Sequence, residues 1–217
     1  MPYDATENRS EMDARQLSDP LRMYGLEEIE AFRKYLNCLE AHLHNVHKAW
    51  EEFRIKCGRL SIITDDHMFW SLDGEVQRHD LSKFSPEEFL QYRRKFYPTS
   101  GESRAGTDEE DAWIQDALDH HIAVNRHHWQ SWKQLLDDPT NQKEVEIHCA
   151  HMVIDWMATE AAYPGTASVR EYYEKVKQDM DLPEWANTLI EEMITMVEAP
   201  QDNEPAKTWE RLQTHGN

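Results

Sequence analysis

The sequence predicts an all-α protein, a single bundle of about six or seven helices. Three observations predict it. Apolar residues recur at alternating steps of three and four over long stretches, helix-start signals punctuate the chain, and no pair of segments alternates as strands would. There are no internal repeats.

Residues 1–25 are polar and aperiodic and are expected to form a flexible arm. The helical domain is expected over 26–199. Its first helix carries Ile29, Phe32, Leu36, Leu39, Leu43, Val46, Trp50 and Phe53, an amphipathic stripe. A second begins near Thr64-Asp65-Asp66 and brings Phe69, Leu72 and Val76 towards His79. Ser85-Pro86-Glu87-Glu88 combines a capping serine, proline in the first turn and glutamate three residues after the cap. It predicts a helix through Phe89, Tyr92 and Phe96 that stops at Pro98. Residues 99–107 read as a loop, and Thr107-Asp108-Glu109-Glu110 as a second capping box before Trp113 and Leu118. Trp129, Trp132 and Leu135 extend the pattern to a break at Asp138-Pro139. Val145, Cys149, Met152 and Trp156 mark the next helix, Ser168-Val169-Arg170-Glu171 caps another, and Pro183 to Val197 forms the last. Residues 200–217 are expected to be a disordered tail.

The chain has 217 residues, enough to bury a substantial core, and a formal net charge of −19. That charge repels nucleic acid, and no basic stripe offsets it, so duplex binding is not expected. Cys38, Cys57 and Cys149 are widely spaced, which fits a reducing compartment better than a disulfide framework. With no apolar run of about 20 residues and no readable signal peptide, the expected location is the cytoplasm.

Histidines and carboxylates carry the chemical signal. His79 and Asp80 are adjacent, and both can reach one metal ion only if the backbone turns both inward. On the first helix, at about 100° per residue, His42 lies roughly 80° to one side of the stripe and His47 roughly 60° to the other, while His44 lies about 120° away. His42 or His47 can thus reach a site at the edge of the core, whereas His44 faces water. Downstream, His120, His121, His127 and His128 crowd nine positions; if the segment is helical throughout, His121, Asn125 and His128 share a face. Asp155 sits among Met152, Val153, Ile154 and Trp156, where an unpaired carboxylate would be costly. His148 and His151 share its face and could support the site from behind. Lys83 follows Asp80 by three residues, well placed to hold a phosphate.

Other chemistries find no footing. The chain has no HExxH, no Glu-x-x-His, no GxGxxG, no phosphate-binding P-loop and no GxSxG, and only seven glycines to build such loops.

The order of His42, His79-Asp80 and Asp155, with His79-Asp80-x-x-Lys83 at its centre, resembles the HD-domain superfamily of helical, metal-dependent phosphohydrolases. More narrowly, the run from His79 through Phe84-Ser85-Pro86 to Phe89 and Tyr92, followed by Ala112-Trp113, His121-x-x-x-Asn125-x-His127-His128-Trp129 and Met152-Val153-x-Asp155-Trp156, is similar to a family of uncharacterised bacterial and phage proteins. That likeness covers roughly residues 35–165 and brings no chemistry of its own. The superfamily resemblance implies an HD-like bundle in which His42, His79, Asp80 and Asp155 bind a first metal. It matches His121, His127 and His128 to the histidines that hold a second metal or meet the leaving phosphate.

The resulting expectation is hydrolysis of a nucleotide or related small phosphoester by one or two divalent transition-metal ions (manganese, iron, cobalt, nickel or zinc). Asp80, Lys83, His121 and His128 are the expected catalytic groups, and Lys83, Arg78, Asn125 and Arg126 the expected substrate contacts. The expected partner is a small anionic substrate, with no membrane and with self-association open; a phage-encoded copy would work in host cytoplasm. Two alternatives stand beside it: a non-catalytic, metal-stabilised binding protein, and a di-iron oxygenase on the same scaffold.

Overall fold

A computed structural model describes residues 20–102, 108–162, 165 and 167–200. Among them the secondary structure is entirely helical, as the periodicity predicts. The helices are α1 (Pro20–Lys56), α2 (Ser61–Thr64), α3 (Asp66–Gln77), α4 (Phe89–Phe96), α5 (Asp108–Val124), α6 (Gln142–Ala162), α7 (Val169–Met180) and α8 (Glu184–Glu198). The count exceeds the expected six or seven because α2 is a single turn between α1 and α3.

Helix α1 starts at Pro20, where proline's fixed φ suits the first turn, so its opening turns lie inside the segment read as an arm. The remainder of that arm, the Thr107 cap and the tail beyond residue 200 lie outside the described residues. Along α1 the predicted stripe splits in two. Val46, Trp50 and Phe53 enter the main core, whereas Leu39, with Tyr35 from outside the stripe, joins Tyr92 and Ala117 in a smaller cluster. Ile29 and Leu36, expected inside, are largely exposed, because α4 and α5 cover only one side of that half.

Helix α6 is the axis of the domain. It packs against α1, α3, α7 and α8, and its contact with α1 is the largest between any two helices. Buried residues surround it, from Val145 and Ile147 through Met152, Val153 and Ile154 to Ala158. A helix apolar on all sides belongs in the middle of a bundle. Caps fix its neighbours: Asp65 accepts the backbone N–H groups of His67 and Met68 at the start of α3, and Ser168 and Glu171 form the predicted reciprocal box at α7. Cys38, Cys57 and Cys149 are free thiols.

Two stretches depart from the sequence reading, and both bear on the site. Glu88 does not close a capping box; α4 begins at Phe89 and the Glu88 side chain turns inward, completely buried. Nor does a helix run through His128. Helix α5 ends at Val124 and the chain continues in short 3-10 turns at Trp129–Ser131, Lys133–Asp137 and Pro139–Asn141. Side chains take over the backbone here: Asn125 Nδ2 donates to the His121 carbonyl at 2.8 Å, and Ser131 Oγ donates to the carbonyls of Asn125 and His128. Such local bonds compete with helical ones.

Candidate metal centre

His79 ends the turn after α3, and Asp80 adopts left-handed backbone geometry with φ 58° and ψ 14°. That conformation costs a non-glycine residue about 1–2 kcal/mol. It reverses the chain between two adjacent residues, and both side chains enter the interior almost fully buried. This is how neighbours in sequence come to face one point.

Four donor atoms gather there. His42 Nε2, from α1, lies 3.0 Å from His79 Nε2, 3.0 Å from Asp80 Oδ2 and 3.6 Å from Asp155 Oδ1 of α6. His79 Nε2 lies 3.4 Å from Asp80 Oδ2 and 3.3 Å from Asp155 Oδ1. Donors about 2.1 Å from one ion stand about 3.0–3.5 Å apart in tetrahedral or octahedral geometry. The spacing therefore fits a common cation. His42 meets this group; His47 does not, and His44 is exposed.

A second group stands on the other side of Asp80. His121, at the end of α5, and His127 and His128, in the turn beyond it, bring ring nitrogens within 4.8 Å of one another. Asp80 Oδ1 lies 3.4 Å from His121 Nε2 and 3.5 Å from His127 Nε2. That oxygen and His128 Nε2 are buried without a hydrogen-bond partner. Buried polar atoms are almost always satisfied, and a cation is a partner that both of these atoms fit.

Behind these atoms lies support that the sequence disclosed only in part. Glu88 accepts from His121 Nδ1 at 2.9 Å through one oxygen and from His120 Nδ1 at 2.7 Å through the other. The only signal was its position one turn before Tyr92, on the buried side of α4. Asn125 Nδ2 donates to Ser82 Oγ at 2.7 Å, tying the turn of His79-Asp80 to that of His121. His151 Nε2 stands 3.0 Å from His79 Nδ1, the rear position anticipated for it, whereas His148 packs near Trp132 instead. Lys83 Nζ donates to Asp80 Oδ2. Of the expected substrate contacts, Arg78 projects into solvent near Glu75 at the end of α3, and Arg126 donates to the Ser131 carbonyl, pinning the turn.

Electrostatics divide the cluster. Burial disfavours a charge on His79, yet Asp80 and Asp155 outweigh it and hold the imidazole up at about 9. Burial likewise opposes ionisation of Asp80 and Asp155, but the neighbouring histidines, with Lys83 at Asp80, keep both carboxyls well below their usual range. His121, His127 and His128 are lowered by burial, His128 to about 4 with help from His121. One group thus carries the compensating proton, and the other presents neutral imidazoles, the form that ligates metals.

Fold and site together define an all-helical protein with buried histidine–aspartate groups able to hold a metal ion. The chain belongs to the DUF5662 family, a family of unknown function, which matches residues 31–196. No curated protein and no solved structure matches it. No helix among the described residues is long and apolar enough to cross a membrane.

Proposed function

We propose that this protein is a metal-dependent phosphohydrolase of the HD-domain type, acting on a nucleotide or related small phosphoester. The observation that carries the proposal is Asp80, whose two oxygens face two separate sets of histidines. His42, His79, Asp80 and Asp155 would hold one divalent transition metal, and His121, His127 and His128, with the other oxygen of Asp80, a second. Such ions supply Lewis acidity towards a phosphoryl oxygen and a water nucleophile at neutral pH. Mixed nitrogen and oxygen donors suit manganese, iron, cobalt, nickel or zinc.

The chain's own groups supply the remainder. Lys83, held beside Asp80, brings a positive charge to the phosphate. Glu88 fixes the ring of His121, and Asn125 holds the His121 backbone carbonyl. The lowered pKa values of His121 and His128 favour ligation over proton donation at neutral pH. In the reaction, water forms the new bond to phosphorus as the ester P–O bond breaks, and the proton lost by the water goes to the departing oxygen.

Elemental mass spectrometry of untagged protein tests this reading, with wild type beside His79→Ala/Asp80→Asn. About one or two equivalents of metal, the number such sites hold, should be present in wild type and lost in the double variant, along with turnover on a phosphoester panel. Protein that stays metal-free after manganese, iron, cobalt, nickel or zinc is added sinks the proposal. Bound metal without turnover would favour a binding protein, and an oxygen-dependent absorption change an oxygenase.

A further inference from the structure

A cavity of about 190 Å³ opens beside the centre. His127, His128 and Asp155 form its inner end, and Trp156 and Tyr172 line its wall. Those two rings meet nearly edge to face, with centroids 5.4 Å apart and planes at 64°. Glu160 stands at the rim, its carboxylate fixed by the backbone N–H of Val169 at 2.9 Å. No lysine or arginine is present among the described lining residues.

We infer that this cavity seats the organic group of the substrate, and that the substrate is a phosphomonoester bearing one compact, uncharged ring. The inference rests on the phosphohydrolase reading and narrows it. Size comes first: sites that enclose a drug-sized ligand measure roughly 300–1,000 Å³, so this cavity takes a single ring. The crossed aromatic pair offers such a ring one face and one edge, the two arrangements that aromatic groups prefer. Charge comes next. A nucleoside triphosphate or a dinucleotide would bring further phosphates past Glu160, with no cation in the lining to receive them. A monoester keeps its only anionic group at the histidines and Lys83.

The test uses the full chain loaded with the metal it retains. The kcat/KM for 4-nitrophenyl phosphate should exceed that for ATP at least about tenfold. Tyr172→Ala should raise KM for the aryl ester about tenfold while leaving kcat and metal content unchanged, a split that loose folding would not produce. Glu160→Gln can still accept from Val169 and should narrow the gap to ATP. Preference for ATP or a dinucleotide, or a KM indifferent to Tyr172→Ala, would overturn the inference. If no phosphoester turns over, titration with phenylphosphonate decides. Binding that weakens about tenfold in Tyr172→Ala upholds the cavity while the hydrolase reading alone fails; no binding, or binding unaffected by the substitution, overturns the cavity's assignment.

Discussion

His151 Nε2 sits 3.0 Å from His79 Nδ1, with the two rings at 70° to one another. Burial and the charge on His79 lower the His151 pKa to about 3, so His151 is a neutral acceptor. The Nδ1 proton of His79 is therefore held from behind, and its Nε2 faces His42, Asp80 and Asp155.

Removing that acceptor should loosen metal without removing a ligand. His151→Ala is expected to weaken metal affinity about 10–100-fold, the usual effect of losing a group that orients a ligating histidine. His151→Gln, whose amide oxygen can still accept, should lose less. Competition with a chromophoric chelator measures both, and equal affinity in wild type and His151→Ala would refute the role.

Metal binding should depend steeply on pH. The pKa of His79, about 9 in the folded protein against an ordinary 6.5, means that its protonated form adds stability complete below about pH 6.5 and lost as pH rises through about 9. A metal at this site must displace that proton. Affinity should rise about tenfold per pH unit up to about pH 9 and then level off, with one proton released per ion. Calorimetry in buffers of different ionisation enthalpy counts the proton, and an affinity that does not change with pH would contradict the charge assignment.

Glu88 should matter for stability and for the second histidine group. Glu88→Ala strands the buried imidazole donor of His121 and is expected to cost about 1–3 kcal/mol in urea unfolding. Glu88→Gln keeps the shape but can accept through only one atom, so one histidine must switch tautomer or reorient. If two ions bind, the variant should retain the first more firmly than the second. Full occupancy of both in Glu88→Gln would show that His121 needs no such anchor.

The left-handed backbone at Asp80 separates strain from ligation. Asp80→Asn should keep the metal-free fold, because asparagine tolerates this conformation. Asp80→Gly relieves the Cβ clash but loosens the unfolded chain. Asp80→Ala should be less stable than Asp80→Gly by about 1 kcal/mol, and all three should lose metal. Melting curves of the metal-free variants rank them; alanine as stable as glycine would remove strain from the account.

Much of this fold could be read from the chain because helical periodicity is local. The stripe of α1, the caps Asp65 and Ser168, and the break at Asp138-Pro139 all depend on neighbours a few residues apart. The residue types of the centre were legible too, since histidine and aspartate on apolar stretches need partners. What stayed hidden depends on distant contacts. Glu88 carries a helix-start signature, yet it faces His120 and His121 on another helix. The end of α5 at Val124 follows from Asn125 and Ser131 capturing carbonyls, which spacing alone does not reveal. Charge and proximity in sequence likewise do not reveal that Arg78 projects into solvent near Glu75 or that Arg126 binds the Ser131 carbonyl.

His42 and Asp155 belong to α1 and α6, the pair of helices with the most extensive contact, and His79, Asp80, His121 and His127 come from the chain between them. A divalent ion held by such residues would fasten chain segments that meet only after folding. Its binding energy would then count as folding energy, about 2.7 kcal/mol when free metal stands at a hundred times the dissociation constant. The folded fraction, and with it resistance to proteolysis, would follow the metal supply of the cell, so scarcity would thin the population of the protein itself as well as silence each copy.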